Sequence, residues 1–133
     1  MIGMRRHIGI AEALISLRPN AEFAVRDDSY DNIEWHSTNQ TMPSKEEIEI
    51  EIENLKQQEP MRVLREIRDW YLKNTDWTQG VDIRALRGQE WCNSWDFYRQ
   101  QLRDITINQT PYFENDFVMH LSGIVWPEQP NSK

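Results

Sequence analysis

The sequence is poor in the residues that staple a chain, bind metals or span a membrane. It has one cysteine, Cys92, so no internal disulfide can form, and a lone thiol with no histidine near it in sequence reads as a small buried hydrophobe rather than a nucleophile. The three histidines, His7, His36 and His120, lie far apart, and no His-x-x-x-His pair or cysteine cluster gives metal-ligand spacing. The five glycines form no G-x-G-x-x-G turn and no G-x-x-x-x-G-K-[ST] loop, and there is no G-x-S-x-G elbow, which removes the common signals for nucleotide binding and hydrolysis. No apolar run reaches the roughly 18 residues of a membrane helix, and MIGMRRHIGI has no signal-peptide core, so a cytoplasmic chain without membrane contact is expected. Basic residues are also in deficit. With 15 Lys and Arg against 22 Asp and Glu, the net charge of −7 disfavours phosphate backbones, and nucleic acid is not an expected partner.

Aliphatic content is low as well. Ile, Leu, Val and Phe make up 30 of 133 residues, only a little above the roughly 20% below which chains tend to stay unfolded. The length suits one ordinary domain and is too short for two hydrophobic cores of usual size. What the chain does have is six tryptophans, each able to bury on the order of 150–250 Å².

The pattern along the chain predicts an α+β protein: an N-terminal helix with a small β-hairpin, then long helices in an antiparallel helical hairpin, then an irregular C-terminal tail. Ile10, Leu14 and Leu17 have the i, i+4, i+7 spacing of an amphipathic helix that Pro19-Asn20 stops. Residues 22–26 and 32–36 alternate as strands, with Phe23 and Val25 on one face and Ile33 and Trp35 on another, joined by a polar loop that holds Tyr30. Such a hairpin is marginal alone, so its apolar face needs a helix, another strand or a partner. Pro43-Ser44-x-x-Glu47 reads as a helix start with a capping box. The alternation from Glu47 to Glu53 competes with that reading, but Ile48, Ile52 and Leu55 keep a helical stripe and leave Ile50 off it. Pro60 either kinks this helix or opens a new one. A broad stripe from Val63 to Trp70 and Tyr71 follows, then the turn-rich segment 74–80. A last helix opens at Asp82 or after Gly88, with Trp91, Trp95, Tyr98 and Leu102 spaced 4, 3 and 4. Three segments result: residues 1–43, 44–106 and 107–133.

No catalytic constellation emerges. The acidic residues concentrate on the helix from Glu46 to Glu53, where a solvated face accounts for them, and Asp76 is best read as satisfying free backbone donors in a helix connection. The chain is therefore expected to be no enzyme and to need no metal or cofactor.

Three ordered motifs carry a resemblance. Arg68-Asp69-Trp70-Tyr71-Leu72-Lys73-Asn74-Thr75-Asp76-Trp77-Thr78-Gln79 comes first, then Trp95-x-x-Tyr98-Arg99-Gln100-x-Leu102-Arg103-Asp104-Ile105, then Val125-Trp126-Pro127-x-x-Pro130. In this order they resemble the phage tail assembly chaperone and tail fibre assembly protein families. Gly80-Val81 replaces the usual proline and leucine after the first motif, and residues 107–122 are longer than the usual link, a candidate partner-binding addition. The resemblance implies a non-enzymatic accessory that binds the tail fibre protein, or another tail component, and promotes its folding or trimerisation in the host cytoplasm. It leaves open retention in the virion tail, a homo-oligomer matching the fibre's symmetry, and a second reading as a permanent cap or adaptor of the tail. Phe23, Tyr30, Ile33, Trp35 and Ile50 are the candidate partner-binding residues. Trp70, Asp76, Trp77, Trp91, Trp95, Tyr98, Arg99, Trp126 and Pro127 are the expected structural set, with Trp70, Trp91 and Trp95 holding the helix pair and Trp77 pinning its connection.

Overall fold

The structure, a computed structural model, describes residues 2–131. Helix α1 is Ile10–Leu17, strands β1 and β2 are Phe23–Val25 and Ile33–Trp35, and helix α2 is Lys45–Asn74. A 3₁₀ turn at Asp76–Gln79, helix α3 at Val81–Arg87 and helix α4 at Gln89–Asn108 complete the order, an α+β chain with long helices and one small antiparallel sheet. Compactness divides it into two units, one of residues 6–59 and one of residues 1–5 with 60–133. The scarce apolar residues thus serve two small cores rather than one. The division falls inside α2 at Glu59–Pro60, and Ile48 in the first part of α2 belongs to the N-terminal core.

In the unit of residues 6–59, α1 starts where two carboxylates meet its free amides. Glu12 accepts from the Gly9 N–H at 2.8 Å, and Asp28, from the hairpin loop, accepts from the Ile10 N–H at 2.8 Å. A Cβ on residue 9 would lie 2.6 Å from the Asp28 carboxylate, so only glycine admits this cap. Ile10, Ala13 and Leu14 are buried with Ile48, and Leu17 and Ile52 pack on them. The strands pair in the register Phe23↔Trp35, Ala24↔Glu34 and Val25↔Ile33. As the spacing predicts, Ser44 caps α2, its hydroxyl accepting from the Glu47 N–H at 3.1 Å. Glu59 is buried and accepts from both the backbone N–H and the guanidinium of Arg6.

Pro60 does not open a new helix; it sits within a continuous helix of 30 residues. Lacking an N–H, it removes one helical bond, that to the Lys56 carbonyl, and the flanking turns carry the helix across.

In the other unit, Val63 and Leu64 of α2 are fully buried. Residues 3 and 4 are tied to the same helix, Gly3 N–H donating to Glu66 at 2.8 Å and Arg62 donating to the Met4 carbonyl at 2.8 Å. Both sequence openings for the last helix are used, since α3 and α4 are separated by Gly88 at φ +90°, a left-handed break that favours glycine. Trp95, Tyr98 and Leu102 of α4 form the buried cluster, with Tyr71 and Leu72 of α2, Trp91 and Trp126 packed against it. Cys92 is buried, its thiol 3.5 Å from the Arg84 carbonyl.

Candidate functional site: an aromatic clamp at the turn after the long helix

The turn after α2 is locked by its own side chains. The Thr75 hydroxyl donates back to the Tyr71 carbonyl at 2.8 Å, and the fully buried Thr78 hydroxyl donates to the Thr75 carbonyl at 2.7 Å. Arg99 reaches this turn from α4. One of its terminal nitrogens donates to the Leu72 carbonyl at 2.7 Å and to Thr75 Oγ1 at 2.8 Å, and the other donates to Asp76 Oδ1 at 2.9 Å. A buried guanidinium thus satisfies the carbonyl end of α2, and Asp76 supplies its countercharge. Asp76 therefore anchors a cation where the sequence suggests a cap for backbone amides.

Over this polar clamp lies an aromatic one. Trp77 contacts Trp91 and Trp95 at ring-centroid distances of 5.9 and 5.6 Å, and Trp95 meets Tyr98 edge-on at 5.8 Å. Trp77 makes these contacts while remaining half exposed. Burial pushes the Tyr98 hydroxyl above the usual phenol range. Trp126 of the C-terminal tail packs on Tyr71 at 5.1 Å, and Pro127 lines a shallow cleft of about 300 Å³ beside Val125 and Ile105. The Gln109 side-chain amide holds the tail in place, donating to the Val125 carbonyl at 2.7 Å and accepting its N–H at 2.6 Å. A second lock ties α3 to α4: Arg84 donates to both carboxylate oxygens of Asp96 at 2.9 and 2.8 Å, and this hydrogen bonding holds the Asp96 carboxyl below its ordinary range.

Trp70 does not join the buried cluster; it is 44% exposed and touches the edge of the Tyr71 ring at 5.2 Å. It lies one residue before Tyr71, so when Tyr71 faces α4 the indole turns about 100° away. Phe23, Tyr30, Ile33 and Trp35 are half-buried on their own helices. All four pack against the cluster of Ile10, Ala13, Leu14 and Ile48, the Phe23 and Trp35 rings lie stacked at 6.1 Å, and the Trp35 indole donates to the Gln40 carbonyl. The hairpin solves its marginal stability on its own helices. Of the five candidate partner residues only Ile50 stands free, at 63% exposure.

Apolar side chains outside the predicted set stand in solvent on the clamp segment: Val81 at 83% exposure, Leu86 at 80% and Phe97 at 67%. For Phe97 a signal exists, because it falls off the Trp91, Trp95, Tyr98 seam just as Ile50 falls off the α2 stripe. For Arg99 there is one too: four residues after Trp95, it is a charge on a buried stripe, which requires polar partners there. Among the described residues, no group of three or more His, Cys, Asp or Glu is placed to hold a metal ion, and no helix is long and apolar enough to cross a membrane.

The clamp, the seam and the tail all lie in one stretch that matches a family model. That match, described as phage tail assembly chaperone protein, covers residues 61–131, more than half of the chain. Comparison with curated proteins gives no match, and neither does comparison with solved structures. By the family match, carried by the segment that builds the clamp, the chain belongs to the phage tail assembly chaperone family.

Proposed function

We propose that this chain binds the tail fibre protein of its phage in the host cytoplasm and promotes its folding and trimerisation, without catalysis. The observation that carries the reading is the exposure of Trp77, Val81, Leu86 and Phe97 on a segment whose interior is locked by the Arg99 and Trp95 contacts. A fold this short of aliphatic residues gains nothing from leaving large apolar groups in water, whereas a protein that covers another's apolar surface needs them there. The mechanism is mass action: binding the unassembled fibre lowers the free concentration of the aggregating species until the trimer buries the same surface. Release follows because the trimer no longer offers that surface.

The test is co-expression with the fibre protein, followed by size-exclusion chromatography. The fibre is expected to be soluble and trimeric only when this chain is present, and a fibre equally soluble and trimeric alone overturns the reading. Recovery of the chain in fixed stoichiometry from purified particles favours a retained cap or adaptor of the tail.

A further inference from the structure

We propose that the loop of residues 112–122 is a preformed docking finger that inserts Phe117 into an apolar, basic-rimmed pocket of the tail protein this chain serves. The inference rests on the chaperone reading and names the contact through which it operates.

The loop is closed and braced, yet its largest side chain is unused. At the base, Tyr112 and Ser122 form an isolated antiparallel bridge with both backbone hydrogen bonds made, at 3.1 and 2.8 Å. Gly123 lies just beyond the bridge at φ +83°, where a Cβ would be 2.7 Å from the Thr110 carbonyl oxygen and 2.8 Å from the Tyr112 ring. At the tip, the Asn115 side chain accepts from the N–H groups of Phe117 and Val118 at 2.9 and 3.1 Å. Arg5 braces the interior: its guanidinium stacks on the Phe113 ring at 4.4 Å, donates to the Asn115 and Val118 carbonyls at 2.8 and 3.1 Å, and pairs with Asp116 at 3.7 Å. Every one of these contacts fixes the backbone that carries Phe117, and none covers its ring, which is 92% exposed. A large rigid aromatic on a backbone already ordered is the arrangement that binds without a further ordering penalty.

Charge selects the occupant. Glu114 and Asp116 flank the tip, and the whole chain carries −7. The cleft at Pro127 contains Asp104, and a second cleft beside α4, lined by Phe97, Tyr98 and Pro130, contains Glu128, so at either of them a second copy would meet the finger with like charge. A pocket edged by Lys and Arg on a different protein is complementary on both counts.

The experiment places the photo-crosslinking residue benzoylphenylalanine at position 117, and separately at position 81 as a reference, in cells assembling the phage that encodes the chain. Position 117 is expected to give an adduct with a tail protein at an apolar segment bordered by basic residues. If the adduct is with the fibre, finger and fibre reading both stand; if it is with a different tail protein, the finger stands and the fibre reading falls. An adduct only with a second copy of this chain overturns the finger, as does the absence of tail-protein adducts from position 117, whether or not position 81 gives them. In parallel, Phe117→Ser is expected to weaken the crosslinked pair's affinity at least tenfold with an unchanged circular dichroism spectrum, and Phe117→Tyr to keep it within about threefold. Equal affinities for Phe117→Ser and the parent chain also overturn the proposal.

Discussion

The two compact units solve the same shortage in different ways. Residues 6–59 spend their aliphatic side chains on a closed cluster that also draws in the hairpin, and among the described residues leave only Ile15, Met42 and Ile50 as large exposed hydrophobics. The other unit packs the aromatic rings of α2 and α4 together with a few buried aliphatics, Val63, Leu64, Leu102 and Ile105, and leaves twelve large hydrophobics exposed among the described residues, Phe117 and Val81 foremost. The family match lies over this second unit. Aromatics make the difference workable. One indole buries as much surface as two small aliphatics, so a few rings hold the fold and free other apolar residues for the surface.

The largest expected effect is that of Trp95→Ala, about 3–5 kcal/mol of stability, since the indole is fully buried in the aromatic cluster. Leu14→Ala, at the centre of the aliphatic cluster, is expected to lose about 2–5 kcal/mol. Native-state hydrogen exchange sharpens the pair: Trp95→Ala should deprotect α4 more than α1, and Leu14→Ala the reverse. Uniform loss in both variants would mean that the cores unfold together and the contrast is one of composition alone. Next comes Arg99→Met. It keeps the stem but leaves the Leu72 carbonyl and Thr75 without their donor, an expected loss of about 1–3 kcal/mol by urea unfolding. Arg99→Lys should recover less than half of it, because an ammonium cannot reach Asp76 and the Leu72 carbonyl with separate nitrogens.

Smaller in stability but decisive for function is Val81→Ser with Leu86→Ser. Unfolding free energy should change by less than about 0.5 kcal/mol, as for exposed sites generally, while the yield of soluble fibre in co-expression falls. An unchanged yield would assign these side chains no part in binding. The smallest effect is that of pH on the Arg84–Asp96 lock. The folded carboxyl titrates below its ordinary value of 3.8, so the lock contributes above that value and is lost as pH falls through the folded one. With the Asp96 side chain 46% exposed, solvent screens most of the effect. Asp96→Asn should flatten the acid limb of the stability curve slightly, and an unchanged limb would place its origin at other carboxylates.

Local chemistry made much of this legible in sequence. The hairpin strands, the Ser44 cap, the α2 stripe that leaves Ile50 outside and the Trp91, Trp95, Tyr98, Leu102 seam all follow from periodicity and capping, which act over a few residues. Which way an amphipathic hairpin faces is a different matter, since Phe23 and Trp35 alternate identically whether a helix or a partner covers them. For Trp70 the breadth of the stripe is the obstacle: a helix face wide enough for both Trp70 and Tyr71 does not say which ring the opposing helix receives. The first of the three motifs that carry the family resemblance ends in the Thr75–Gln79 segment, yet the physical reason for that segment, Arg99 closing the end of α2 with Asp76 as countercharge, needs the third dimension.

The Arg5 brace has a consequence for the order of folding. Its bonds to Asn115 and Val118 join residues 110 and 113 apart in sequence, whereas the helical turns and the hairpin close over short spans. Loops that long form late, after local structure has shortened the chain between their ends. The turn that carries Phe117 should thus be among the last parts of the molecule to set, and a nascent or half-folded copy would reach its partner with that residue still unaimed.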